Sequence, residues 1–393
     1  MDAISLDELI AIEGQLSDEE RLVRETTRRF VRDRYLPHAG EWFEKGEFPN
    51  ELIPQIADLG LLGGSLPTEY GAAGMNTVQY GLALQELEYG DSGLRSFVSV
   101  QGALCMYPIF RFGSDEQKER YLPKMAAGEL IGCFGLTEPD AGSDPGAMKT
   151  MARSDGDDYV LNGAKMWITN SPIADLCIVW AKVDSDDPKS IRGFVVETGI
   201  DGVECPTTHH KMSLRASHTG EITLNDVRVP KSAILPGTKG LGSALACLNQ
   251  ARFGIAWGAI GAAKACFDEA LDYGNQRIVF DKPITSKQLI QKQFADSGTQ
   301  IALAEVLMLH LSRLKDQHGS VSPFQVSLSK RNNVAMALET ARTCRSILGG
   351  NGISVEFAAV RHMLNLESVY TYEGTHEVHT LILGRGLTGQ DAF

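Results

Sequence analysis

From Gly240 onward the chain reads as helix with few interruptions, and that run limits the folds open to it. Apolar residues recur at helical spacing over about 243–273, 286–315, 323–348 and 354–385. Four such segments can bury their apolar faces only against one another or a neighbouring layer, which predicts a bundle. The most apolar long run, Ser243 to Phe267, is broken by Asn249, Gln250, Arg252 and Lys264. That excludes a membrane span and predicts a buried helix rich in small residues. The first third also reads as helical. Ser17-Asp18-Glu19-Glu20 and Ser114-Asp115-Glu116-Gln117 are capping boxes, and Val23, Phe30 and Val31 follow the first at helical spacing. Pro37, Pro54, Pro67 and Pro123 mark helix ends and turns.

Between about Gly132 and Pro236 the period changes to that of strands. Tyr159-Val160-Leu161 and Met166-Trp167-Ile168-Thr169 flank Asn162-Gly163, a pair that predicts a tight hairpin. Leu176 to Val183, Ile191 to Glu197 and Gly220 to Pro230 read as further strands of a compact, mainly antiparallel β-domain. A chain of 393 residues is too long for one ordinary core. The expected architecture is α+β and multidomain: a helical domain over 1–131, a β-domain over 132–238 and a four-helix bundle over 239–393. No G-x-G-x-x-G follows a predicted strand, so a Rossmann-type dinucleotide fold is not indicated.

A net charge of −13 argues against a nucleic-acid partner but leaves room for a few cations around an anionic substrate. The seven cysteines are spread widely without a C-x-x-C pair, so neither a disulfide framework nor a zinc site is expected. Cys133 reads as a small buried residue. Met1 to Gln15 is acidic and resembles neither a signal peptide nor an Arg-rich transit peptide. A reducing compartment is expected, the cytoplasm or, for a processed form, the mitochondrial matrix, with no membrane partner.

Three segments carry chemistry. The first is Leu366-Glu367-Ser368-Val369-Tyr370-Thr371-Tyr372-Glu373-Gly374-Thr375-His376-Glu377, where a partly desolvated carboxylate could take a proton from carbon. Alone, a Glu before Gly is usually a solvated helix end. The others are Cys133-Phe134-Gly135-Leu136-Thr137-Glu138-Pro139-Asp140-Ala141-Gly142-Ser143-Asp144 and Leu348-Gly349-Gly350-Asn351-Gly352. Glycines in the last allow backbone N–H groups to approach an anion, although such a turn is more often a helix C-cap.

Together, and over about Leu16 to Phe393, these segments resemble the acyl-CoA dehydrogenases. The resemblance implies FAD as cofactor. Phe134, Leu136, Thr137, Gly142 and Ser143 would run along the flavin, with Ser143 also meeting substrate phosphate. Trp167, Ile168 and Thr169 would form the second flavin segment, with Trp167 against the ring. Taken alone, Trp167 reads as a core aromatic. Arg277, Phe280, Gln288, Ser346, Gly349 and Gly350 would serve the FAD of a neighbouring subunit, which implies a homotetramer. Thr375 would contact flavin. Glu373 takes the position of the catalytic base. The alternative base position of the family falls within Ser243 to Ala262, which contains no Asp or Glu. Glu367 and Glu377 are surface carboxylates by comparison. Leu245, Leu248, Asn249 and Arg252 would line the acyl-CoA channel with Gly374. Arg252 is equally readable as a CoA contact or a structural ion pair.

Within the family, Glu86 to Gln101 looks like the segment of the glutaryl-CoA dehydrogenases. The resemblance implies that Arg95 grips a distal carboxylate, with Ser96 adding a hydrogen bond. Glu88, on the same helix face at (i, i+7), and Tyr372 would then lie near that carboxylate. Without the resemblance, Arg95 reads as a surface residue paired with Glu88 or Asp91. Asn170 to Asp175 and Ser213 to Ser217 are further local matches. The implied reaction is oxidation of glutaryl-CoA with loss of CO₂, giving crotonyl-CoA, with electrons passed to an electron-transferring flavoprotein. The rival readings are a non-decarboxylating or short-chain acyl-CoA dehydrogenase and a DNA-associated flavoprotein of the same fold. The second would want a basic patch or extension that this acidic chain lacks.

Overall fold

The computed structural model describes residues 4–391 except 186 and 188, so the first residues of the acidic Met1–Gln15 segment and Phe393 lie outside it. The first capping box opens α1 (Asp18–Phe30), where the Ser17 hydroxyl accepts from Glu20 N–H and the Glu20 carboxylate accepts from Ser17 N–H. After it come α2 (Thr77–Gly90), α3 (Ser92–Ser99) and α4 (Asp115–Ala126), the last opened by the Ser114 box. Pro123 does not end α4 but sits in its last turn, where a missing N–H costs one interior bond.

α2 and α3 are not one helix, contrary to the (i, i+7) expectation. Asp91 stands between them in an extended conformation, and its carboxylate accepts from Gly93 N–H at 2.6 Å to start α3. The other oxygen accepts from Asn365 at 2.9 Å, so Asp91 is engaged in capping and tethering rather than pairing with Arg95.

Seven strands form one sheet: β1 (Gly132–Gly135), β2 (Met151–Asp155), β3 (Asp158–Thr169), β4 (Leu176–Lys182), β5 (Ile191–Glu197), β6 (Val203–Glu204) and β7 (Thr219–Pro230). Their order is β1-β4-β2-β3-β7-β6, with β5 antiparallel to β4. The predicted hairpin at Asn162-Gly163 is not there: both residues lie inside β3, and the chain turns earlier, at Gly156-Asp157. Asn162 and Asp226 exchange hydrogen bonds of 3.0 Å across a break in the β3–β7 register. That bond set makes the pair a bulge inside a long ladder rather than a chain reversal.

The long α5 (Leu241–Gln276) is buried along most of its length, as its small residues predict. It lies so close to α2 that a Cβ on Gly258 would meet Glu88 Oε2 at 2.0 Å, and one on Gly261 would meet Gln85 O at 1.8 Å. These two glycines set how near Glu88 can come to the centre. After α5 a short hairpin, β8 (Ile278–Val279) and β9 (Lys282–Pro283), leads to α6 (Gln288–His318) and α7 (Pro323–Ile347). The expected fourth helix is broken into α8 (Ala358–Thr371) and α9 (His376–Thr388). Glu373 at φ 51 and Gly374 at φ 88 are both left-handed, which no right-handed helix can carry through. Among the described residues no helix is long and apolar enough to cross a membrane, and every cysteine is free, with Cys133 buried.

Candidate active site

The break between α8 and α9 puts Glu373 on a turn instead of a helix face. Three consecutive carbonyls of that turn are held from one side. Lys330, on α7, donates to Tyr372 O at 2.8 Å and Gly374 O at 2.7 Å. Arg252, on α5, donates from Nε to Glu373 O at 2.7 Å and from Nη1 to Asn249 at 3.3 Å. His379 Nε2 also lies 3.2 Å from Glu373 O, and its Nδ1 3.0 Å from the Ser327 hydroxyl. A carbonyl only accepts, so Nε2 carries the hydrogen and Nδ1 accepts from Ser327. Burial pulls this imidazole down to about 3, keeping it neutral. Arg252 is therefore the holder of the turn's backbone, which neither sequence reading anticipated.

These cations place their donors on carbonyls, not on the carboxylate. Glu373 Oε2 is sealed from solvent and has no hydrogen-bond partner among the described residues. Burial raises the acid's pKa, while the charges of Arg252, Arg95 and Lys330 hold it back. A carboxylate with a free lone pair and a raised pKa is a competent general base. Glu377 is exposed, and Glu367, also exposed, pairs with Arg342.

The far end of the site is built on α2 and α3. Arg95 is 1% exposed, not a surface residue, and its Nε donates to Glu88 Oε2 at 2.6 Å. Glu88 Oε1 accepts from the Ser92 hydroxyl at 2.8 Å, so both carboxylate oxygens are satisfied. Arg95 Nη2 donates to the Tyr372 hydroxyl. Burial pulls the guanidinium's pKa down, but Glu88 and the Tyr372 oxygen outweigh it and raise it. Burial pushes the Tyr372 phenol up to about 12 against the pull of Arg95. Nη1 of Arg95 has no protein partner among the described residues, and the buried Ser96 hydroxyl, near enough to the Tyr372 oxygen to favour its anion, makes no hydrogen bond of normal geometry there. Glu88, Arg95, Ser96, Tyr372, Glu373, Gly374, Asn249 and Arg252 are thus one constellation, with unused donors at one end and an unused acceptor at the other.

The second set of expected residues lies at the sheet edge next to it. Phe134 and Leu136 pack in the same core as Leu248, with Leu245 against it. Met166 N–H donates to Thr137 O at 2.9 Å, so the segments carrying Thr137 and Trp167 are adjacent. Ile168 is buried, Thr169 pairs with Thr219 on β7, and Gly142 and Ser143 lie on an exposed loop. Trp167 is not a core aromatic: it is 57% exposed, at φ 61 beside a break in the ladder. Its indole offers an open aromatic face next to the polar edge of Thr137, which fits a planar ring system.

Sequence reasoning missed what anchors this edge. Glu138 accepts from Lys149 N–H at 2.6 Å and Thr150 N–H at 3.0 Å, and pairs with buried Lys165 at 2.8 Å. Lys165 also donates to Leu136 O at 3.2 Å, fixing the strand end that precedes Thr137. Glu138 stood inside the quoted motif, and that placement was the one available signal. Lys330 and Lys165 had none, since a buried lysine looks like any helix or strand lysine in sequence.

Arg277, Phe280, Gln288, Ser346, Gly349 and Gly350 are all exposed, and among the described residues no hydrogen bond or core contact brings them to Thr137 or Trp167. Phe280 is 87% exposed at the tip of the β8–β9 hairpin, with φ 51. A Cβ on Gly349 or Gly350 would meet nothing within 4 Å, so the turn offers an open backbone surface. Thr375 caps α9 by accepting from Val378 N–H at 3.2 Å.

The family profiles for the acyl-CoA dehydrogenase N-terminal, middle and C-terminal domains match residues 17–129, 133–227 and 238–388. A glutaryl-CoA dehydrogenase from Mycobacterium smegmatis, solved in complex with FADH2, is 50% identical with a TM-score of 0.97, each chain covered over 100% of its length. A second glutaryl-CoA dehydrogenase structure from that organism is 54% identical, with a TM-score of 0.96 over the same coverage. The probable acyl-CoA dehydrogenase YngJ of Bacillus subtilis is 37% identical over 95% of this chain and 99% of its own. The open aromatic edge and glycine turn suit a flavin such as the FADH2 of the first of these structures, and the chain belongs to the FAD-dependent acyl-CoA dehydrogenase family.

Proposed function

We propose that this protein oxidises and decarboxylates glutaryl-CoA, giving crotonyl-CoA and CO₂. The observation that carries this reading is the buried Arg95, whose free Nη1 and neighbouring Ser96 hydroxyl await an acceptor inside the acyl pocket. A carboxylate supplies such an acceptor, and an apolar acyl tail does not. The two most similar structures described above, both glutaryl-CoA dehydrogenases, support the same substrate.

With the distal carboxylate on Arg95, the opposite end of a five-carbon acyl chain lies toward Glu373. Glu373 takes the α-proton, and its backbone N–H steadies the thioester oxygen as negative charge develops there. FAD, when bound, supplies the acceptor for the β-hydride. Loss of CO₂ leaves a γ-carbanion delocalised into the thioester, and protonated Glu373 returns its proton to the γ-carbon. Tyr372 shares Arg95 with the departing carboxylate and so weakens the ion pair that would otherwise retain it. Arg277, Phe280, Gln288, Ser346, Gly349 and Gly350 complete the FAD site of a neighbouring copy in a homotetramer, and an electron-transferring flavoprotein takes the electrons.

The test is anaerobic mixing of the yellow holoenzyme with glutaryl-CoA, following flavin bleaching and CO₂ together. Bleaching with CO₂ in equal amount is expected. Bleaching that ends at glutaconyl-CoA assigns the non-decarboxylating reaction, and no bleaching by glutaryl-CoA overturns the substrate.

A further inference from the structure

Lys330 carries no motif, yet its ammonium is placed with unusual economy. The residue is 1% exposed and donates to Tyr372 O and Gly374 O at 2.8 and 2.7 Å. Burial pulls its ammonium down to about 7, opposed by Glu373 and Glu377 and aided by Arg252 and Arg95, so the charge is carried below neutral pH; neutral His379 lies alongside. Among the described residues none of the carboxylates is in ion-pair contact with it. A buried cation whose donors go to two carbonyls of one turn is there for that turn.

The peptide geometry says what it does. A carbonyl and the N–H that follows it belong to one planar unit and, in the trans form, point in opposite directions. Among the described residues no peptide bond is cis. Tyr372 O is therefore the far end of the peptide that carries Glu373 N–H. Tyr372 N–H is already used, donating to Ser368 O at 2.8 Å, whereas Glu373 N–H has no acceptor among the described residues. A charge-assisted bond to one end of a peptide strengthens the donor at its other end. The second bond, to Gly374 O, pins the turn on the other side of Glu373 and opposes a flip of the first peptide.

We propose that Lys330 is the positioning residue of an oxyanion-binding peptide: bonded to Tyr372 O, it fixes and polarises the Tyr372–Glu373 peptide so that Glu373 N–H meets the thioester oxygen as a strengthened donor. This rests on the reading of Glu373 above, but on its backbone and not on its carboxylate.

The probe is acetoacetyl-CoA, which ionises to an enolate visible in the near ultraviolet without reducing flavin. Its thioester oxygen then carries the charge that the N–H would stabilise. Its ionisation is titrated on wild-type, Lys330→Met and Lys330→Arg holoenzymes, with flavin reduction by butyryl-CoA measured alongside. Lys330→Met should raise the ionisation midpoint by about one pH unit and slow flavin reduction about 10- to 100-fold, with FAD content retained. Lys330→Arg, which keeps a charged donor, should recover most of both. An unchanged midpoint in Lys330→Met overturns the inference. Should that variant lose FAD, Lys330→Gln keeps one neutral donor and is read by the same criterion. Normal flavin reduction by Glu373→Gln would overturn the base assignment alone, because the enolate titration needs no base.

Discussion

Glu88 is fully buried and Glu373 half-buried, and these two carboxylates of one site differ most in their partners. Glu88 has both oxygens satisfied, by Arg95 at 2.6 Å and Ser92 at 2.8 Å. Glu373 has three cations nearby, but their donors go to the carbonyls of its turn and to Tyr372, and its Oε2 has no partner among the described residues. Burial with partners makes a carboxylate structural. Burial without them leaves it with a lone pair and a raised pKa, ready for a proton. What sets the role is where neighbouring donors are spent, not how many charges are near.

The comparison can be broken at several points. Glu373→Gln should have the largest effect, slowing flavin reduction about 10²–10⁴-fold while FAD stays bound. Stopped-flow bleaching with a near-normal rate would place the base elsewhere. Arg95→Met comes next. A buried carboxylate without its partner costs roughly 3–5 kcal/mol, so glutaryl-CoA should lose about 10²–10⁴-fold in kcat/KM, and butyryl-CoA far less. The same change strands Glu88, so the Glu88→Gln/Arg95→Met double variant should recover thermal stability without recovering glutaryl-CoA. Equal losses for both substrates would make Arg95 a folding residue.

The pH profile sharpens the contrast. The base must be deprotonated, and burial raises Glu373 above its ordinary value of 4.5. The rate of flavin reduction should therefore fall as pH drops through a midpoint above that value, about tenfold per pH unit well below it. A limb at the ordinary carboxylate position would mean that the pocket leaves Glu373 solvated. Tyr372→Phe removes the hydroxyl on Arg95 and should slow CO₂ release about tenfold relative to bleaching, so that glutaconyl-CoA accumulates. Mass analysis after one anaerobic turnover reads this directly; crotonyl-CoA at the wild-type rate would deny Tyr372 a part in the second step. The smallest effect is at Thr375→Ala, which removes the cap of α9 and should cost about 1 kcal/mol in denaturant unfolding. No loss would show that the turn is held by Lys330 and Arg252 alone.

Much of this was legible in the sequence, and the gaps have physical causes. Capping boxes announced α1 and α4 because they are local, i to i+3 signals. The small, apolar run announced α5 as a buried helix. The break between α8 and α9 was not visible, since the periodicity continues across it and Glu373 reaches φ 51 only with support from Lys330 and Arg252, which come from other helices. Asn162-Gly163 looked like a turn, but a cross-strand bond to Asp226, some sixty residues away, made it a bulge. The proposed role of Arg95 as a carboxylate grip came only from resemblance. Its burial and its free Nη1 depend on Gly258 letting α5 approach Glu88. Lys330 was silent because its partners are carbonyls, which every residue has.

The most direct test sets the two carboxylates side by side. Glu373→Gln and Glu88→Gln holoenzymes are mixed anaerobically with butyryl-CoA, which has no distal carboxylate and so reports proton abstraction apart from recognition. Glu373→Gln should lose at least about 10²-fold in flavin reduction, while Glu88→Gln should stay within about tenfold of wild type. A larger loss in Glu88→Gln than in Glu373→Gln would contradict it.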